Sequence, residues 1–373
     1  MFFELIFIQL MLLAFDGTHV EAGRGTTEIC RAFRKCRRPQ QLLDRITLDL
    51  TGSIWYPIVT VALGPKTKEQ KFRIALDTGS TLFFVPKTGS TTDPLIKKYV
   101  KTVTYKQIHD ERLCCHYLDG ARIENGIMSE EIIQLGPLKR LNTEFVLAKT
   151  IKSGQFDSQF FDGIAGVPSK QSAGSLFPAI LDVFKSKKMS FYYKHGLSMM
   201  DLTENPNQLT GNVDLGEPDG TKGLLADTKW LDVVPHFQNL WNVSLNAIEM
   251  GETKVALHHP YVLADTGCNY SRFTKQLYDG LLNSLGLSRD MMRRPGSILI
   301  PCRSIPDVNF KFHFGQVLIT VPARQMFAPL NSNICVLAVQ EDDMNILGTG
   351  FLRNFYTTFD FETKRVGLAP MIH

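Results

Sequence analysis

Arg73-Ile74-Ala75-Leu76-Asp77-Thr78-Gly79-Ser80 is read a second time, in altered form, as Tyr261-Val262-Leu263-Ala264-Asp265-Thr266-Gly267-Cys268. Each copy is a short apolar run suited to a buried strand, and each ends in an Asp-Thr-Gly turn. The acids stand 188 residues apart, from 77 to 265, a spacing of one copy per domain. A second pair follows in the same order. Phe161-Asp162-Gly163-Ile164-Ala165-Gly166 comes after the first acid and Asn345-Ile346-Leu347-Gly348 after the second. Two motifs repeated in order at similar offsets predict duplicated lobes.

The surroundings of these stretches read mainly as β. Lys71-Phe72-Arg73-Ile74 and most of Ile305 to Phe314 alternate polar and apolar residues, as strands with one buried face do. Two helices interrupt the pattern. Ser175 is placed to cap one running to about Lys185, with Pro178 in its first turn. Thr274 is placed to cap another, with Leu277, Leu281 and Leu285 on one face. A cluster of Gly, Pro and Asp between Gly216 and Gly223 marks the boundary between lobes, giving an N-terminal lobe over 46–220 and a C-terminal one over 221–373. The chain of 373 residues is long enough for two such domains.

Composition excludes several classes of function. A hydrophobic content of 44% with 21% charged residues excludes a disordered chain. The net charge of +4 is too small and scattered for a nucleic-acid surface. The longest apolar stretch, Leu5 to Phe15, falls short of the ~20 residues a membrane span needs. Followed by Val20-Glu21-Ala22, it reads as a signal peptide over 1–22, with a cut before Gly23. Residues 23–45 then form a basic leader or short propeptide. Export explains seven cysteines, because disulfides persist in oxidising compartments. Asn242-Val243-Ser244 and Asn269-Tyr270-Ser271 match the glycan acceptor triplet, and Asn242 is the expected site. His258-His259 has the wrong spacing for a metal pair on one strand face and lacks a supporting cluster, so no metal site is expected.

Two Asp-Thr-Gly turns facing each other are chemistry. Carboxyl groups ~3 Å apart share one proton rather than both ionise. The ionised member takes a proton from a water held between them, and the protonated member donates to the carbonyl that the water attacks. Gly79 and Gly267 let the two loops approach closely, Thr78 and Thr266 are placed to bond across to the opposite backbone, and Ser80 is placed to donate to Asp77. No metal, cofactor or covalent intermediate is required.

On these motifs, together with Phe351-Leu352-Arg353-Asn354-Phe355-Tyr356-Thr357-Thr358-Phe359-Asp360 and Val366-Gly367-Leu368-Ala369-Pro370, the chain resembles the pepsin-like aspartic endopeptidases from about Trp55 to Pro370. The resemblance implies an all-β bilobal fold, a secreted or lysosomal monomer, and a cleft that takes an extended peptide or protein substrate at acidic pH. It also implies a flap hairpin carrying Tyr117 and a disulfide between Cys302 and Cys335, leaving Cys268 as the odd thiol. Cys30, Cys36, Cys114 and Cys115 allow three pairings. The pattern is broken at three places. Cys268 stands where the family carries a hydroxyl, Phe84 replaces a tryptophan that bonds the flap tyrosine, and Leu118 replaces a flap glycine. Those changes keep open an alternative, a weak or inactive peptide-binding protein on the same scaffold.

Overall fold

The computed structural model describes residues 41–372, apart from 92, 117–121, 153–159, 199–204, 206, 236–238 and 294–296. The expectations for the signal peptide, for nearly all of the leader and for Tyr117 and Leu118 lie outside the described residues. So does the pairing of Cys30, Cys36, Cys114 and Cys115. The chain from Leu43 onward is one compact unit. Arg45, the last residue assigned to the leader, already pairs with Gly216 as the first residue of a strand.

Strands dominate, and their connectivity repeats. Strand Gln70–Asp77 runs parallel to Gly163–Gly166, which is antiparallel to Phe83–Pro86, which runs parallel to Leu141–Lys152. The second copy is built in the same order. Tyr261–Ala264 runs parallel to Ile346–Leu347, which is antiparallel to Ser271–Phe273, which runs parallel to Val339–Glu341. The two sequence motifs of each copy thus become adjacent parallel strands. In the first, Asp77 lies in register with Gly166; in the second, Asp265 N–H donates to the Leu347 carbonyl at 3.0 Å. Both strands are apolar where they approach the acids because packed side chains cover them there: Ile74, Leu76 and Val262 are completely buried.

A six-stranded sheet joins chain from early and late in the sequence. Its order is Arg45–Thr51, Leu209–Gly216, Lys188–Tyr193, Phe355–Asp360, Arg365–Pro370 and Lys229–Asp232. Beneath it Trp241, fully buried, donates its indole N–H to the Val167 carbonyl at 2.7 Å and packs edge-on against Phe359 and Phe361. That one bond ties the residue just before Asn242–Ser244, the strand paired with Tyr261–Ala264, to the segment just beyond Gly166.

The helices differ from expectation at one of two places. Lys275–Ser284 is an α-helix that buries Leu277, Tyr278, Leu281 and Leu282, although the Thr274 hydroxyl does not cap it. The helix expected from Ser175 to Lys185 shrinks to a 3-10 turn over Ala179–Val183. Pro178 is the cause: it lacks an N–H and keeps Phe177 out of helical backbone, while the Ser175 hydroxyl donates to the Phe177 carbonyl instead of capping. His258 and His259 sit in a bend before Tyr261–Ala264 rather than on a strand.

Candidate active site

Asp77 closes the strand Gln70–Asp77, and Asp265 directly follows Tyr261–Ala264. The parallel pairings described above aim both strand ends at the same place. Each acid is only 6% exposed, and the two carboxyl groups are hydrogen-bonded to one another. The turns make the same local bond: Gly79 N–H donates to Asp77 Oδ1 and Gly267 N–H to Asp265 Oδ1, both at 2.8 Å.

The glycines earn their places by close approach. A β-carbon on Gly79 would overlap the Asp265 carboxylate, and one on Gly267 would overlap that of Asp77. Only hydrogen at these positions lets each loop lie against the other's acid.

Four hydrogen bonds lock the loops together. Thr78 Oγ1 donates to the Ala264 carbonyl at 2.8 Å and accepts the Thr266 N–H at 2.9 Å. Thr266 Oγ1 donates to the Leu76 carbonyl at 2.8 Å and accepts the Thr78 N–H at 3.2 Å. Both threonines are completely buried, so each hydroxyl bridges two backbone groups that have no water to turn to.

Burial is the first cause and the Asp77 charge the second in holding the Asp265 carboxyl well above the usual carboxylate range. The N–H groups of Gly267 and Cys268 work against this and are outweighed. The coupled pair therefore holds on to a proton at a pH where an ordinary aspartate has lost it.

The outer supports differ from expectation. Ser80 Oγ is buried without a hydrogen-bond partner and does not donate to Asp77. The turn N–H and the opposing carboxyl already supply hydrogen bonds to that acid. Cys268, 7% exposed, turns its Sγ to the Tyr270 carbonyl at 3.0 Å and receives the Arg272 Nε–H at 3.3 Å. Burial, with Asp265 second, pushes its thiol up to about 12. Neither acid therefore has a side-chain hydroxyl or thiol bond from the residue after its Asp-Thr-Gly.

Asn242, the expected glycan site, is 4% exposed and pairs with Leu263 in the strand beside Tyr261–Ala264. Phe84 lies fully buried in a core cluster with Ile123, Met128 and Ile164. The Cys302–Cys335 disulfide is formed, with α-carbons 5.0 Å apart and a separation of 33 residues, and Cys268 is the free cysteine among the described residues. Among the described residues no three His, Cys, Asp or Glu side chains gather as metal ligands would, and no helix is long and apolar enough to cross a membrane.

Three contributors were missed in the sequence. Thr349 Oγ1 donates to the Thr266 carbonyl at 3.1 Å and its N–H bonds the Cys268 carbonyl at 2.7 Å, bracing the second loop from behind. Arg272 pairs with Asp342 at 2.6 Å and so holds the Cys268 sulfur. Trp55 stacks on Tyr270 at 5.1 Å. Thr349 had a legible signal, since it directly follows the Asn345–Gly348 motif; the other two are long-range contacts without local pattern.

Residues 58–371 match the family model for eukaryotic aspartyl proteases. The chain belongs to that family. It is 25% identical to bovine pepsin A over 334 residues, covering 84% of this chain and 83% of the relative. It is 25% identical to the vacuolar aspartic protease of Candida albicans, covering 82% and 73%, and 26% identical to embryonic pepsinogen of Gallus gallus, covering 89% and 83%. Membership makes the chain an aspartic-type endopeptidase by class, a hydrolase with an all-β bilobal fold.

Proposed function

We infer that Asp77 and Asp265 act as one dyad that hydrolyses peptide bonds at acidic pH. The observation that carries this is mutual: each acid lies against the glycine of the opposite loop, and the two carboxyls are hydrogen-bonded. A pair holding one proton has both functions ready. The ionised member deprotonates a water, and the protonated member donates to the substrate carbonyl oxygen. The tetrahedral diol collapses as the amine leaves with a proton from the dyad. Acid pH is required because loss of the shared proton removes the general acid.

Thr78, Gly79, Thr266 and Gly267 hold the dyad geometry, and Tyr117 closes over the substrate and excludes water. The substrate is a peptide or protein with apolar side chains flanking the scissile bond, a preference carried over from the family. The lobes divide between 220 and 221, and the protein acts as a monomer that enters the secretory pathway. The vacuolar relative is compatible with a lysosomal as well as an extracellular destination.

The test is cleavage of an acid-denatured protein by the mature chain. Asp77→Asn and Asp265→Asn should each abolish turnover while leaving the fold intact; retained cleavage in either variant rejects the dyad. One observation favours a second reading, an inactive peptide-binding protein. Neither Ser80 Oγ nor Cys268 Sγ bonds its neighbouring acid. Absence of turnover together with saturable binding of a transition-state mimic establishes that reading.

A further inference from the structure

A cavity of about 650 Å³ is lined by Tyr193 and by the Cys302–Cys335 disulfide among others. Neither Asp77 nor Asp265 lines it. Among the described residues its lining carries Arg353, Arg324, Lys194 and His195 and no Asp or Glu.

Arg353 is the decisive residue. It follows the short helix Thr349–Leu352, and its guanidinium spends one N–H on the Phe327 carbonyl at 2.8 Å and lies 5.4 Å from the centre of the Trp55 ring. No acidic side chain among the described residues pairs with it. Burial pulls its guanidinium down to about 10, so the charge is held at a desolvation cost with no counter-charge. Tyr193 supplies a second unmet demand. It is 4% exposed, it lines the same cavity, and its hydroxyl is buried without a hydrogen-bond partner. The neighbouring Thr349 hydroxyl spends its proton on the Thr266 carbonyl. A half-buried cation with donors to spare, beside a buried tyrosine hydroxyl without a geometric hydrogen-bond partner, suits an anion that accepts from both.

We propose that this cavity binds a monocarboxylate, with one oxygen on the Arg353 guanidinium and the other on the Tyr193 hydroxyl. One half-buried positive charge is neutralised by one negative charge; a phosphate dianion brings more charge than the interior compensates. Arg324 and Lys194 are exposed at the cavity and draw an anion in without being desolvated. Ile54, Phe327 and Pro329 contribute apolar wall, which suits a carboxylate on an apolar body rather than a bare ion.

The test is titration calorimetry of the mature full chain with 4-bromobenzoate, at a pH above the carboxylate range, with 4-bromobenzamide as the uncharged isostere. Saturable benzoate binding is expected, weaker for the amide by on the order of 30-fold and weakened similarly by Arg353→Gln. Tyr193→Phe is the second variant, keeps the ring packing and should weaken binding by about 5-fold. The bromine places the site directly by anomalous scattering in a crystal. Acetyl-Leu-Glu-Leu-amide against its Gln analogue separates the sources: tighter binding than benzoate identifies a peptide carboxylate, weaker binding a free small acid. Equal affinity for benzoate and benzamide, an unchanged Kd in both variants, or preference for inorganic phosphate overturns the proposal. None of these readouts depends on proteolysis.

Discussion

Thr78→Val tests whether the loops are locked by buried hydrogen bonds. The change keeps shape and volume and deletes one hydroxyl from a completely buried site. It orphans two backbone groups, the Ala264 carbonyl and the Thr266 N–H, which the hydroxyl serves at 2.8 and 2.9 Å. An unsatisfied buried polar group costs ~1–3 kcal/mol, so the loss should be ~2–6 kcal/mol. Against a total stability of roughly 5–15 kcal/mol that is a large fraction, enough to lower a urea midpoint visibly at unchanged slope. Thr266→Val orphans a different pair, the Leu76 carbonyl and the Thr78 N–H, and should cost about as much. The double variant then reports coupling, because the four bonds join the same two loops: once one pair is broken the loops part, and the second substitution costs less than it does alone. The assay is equilibrium denaturation by near-UV signal at acidic pH, for all three variants. A loss below ~1 kcal/mol in Thr78→Val would mean that water or a local shift satisfies the freed groups, and the lock would not exist as described.

Further outcomes follow from the same geometry. Asp265 has a folded pKa above its unfolded value, so its proton stabilises the fold fully below the unfolded value near ~4, and that contribution is lost as pH rises through the folded pKa. Melting temperature should therefore fall between acidic and neutral pH and fall less in Asp265→Asn; a wild-type profile rising through that window contradicts the assignment. Gly79→Ala places a methyl on the Asp265 carboxylate and should reduce kcat by ~100-fold or more, read by steady-state cleavage of a peptide. Removing Cys302 and Cys335 together should cost ~3–4 kcal/mol, from loop closure over their separation, in the same denaturation assay. With its thiol pushed up to about 12, Cys268 should resist iodoacetamide in the native protein and react at once when unfolded, as mass spectrometry reports.

How much was legible depended on the range of the interaction. The repeated Asp-Thr-Gly and its companion glycine motif are local strings whose order survives duplication, and they became adjacent parallel strands in both copies. The Thr78 and Thr266 bridges were legible for the same reason, since a buried hydroxyl beside a paired acid has few other uses. The Ser175 helix was misread because Pro178 outweighs an apolar pattern that otherwise suits a helix. Ser80 was misread because the site of a hydroxyl hydrogen is set by competing donors that no spacing reveals. Asn242 carries a valid acceptor triplet, yet burial is a property of the folded sheet and not of three residues.

From its residues alone, this chain declares a duplicated all-β architecture, two acids on equivalent turns, and the glycines and threonines that let those turns meet. These are short-range features: a strand followed by a tight turn is dictated by side chains within a few residues. Tertiary structure alone decided that the carboxyls touch, that burial and the Asp77 charge raise the Asp265 carboxyl, that the hydroxyl and thiol after the turns look elsewhere, and that Arg353 lies half-buried without an acid. Each depends on desolvation and on partners brought from distant parts of the chain, and the free energy of a charge is set by what surrounds it after folding.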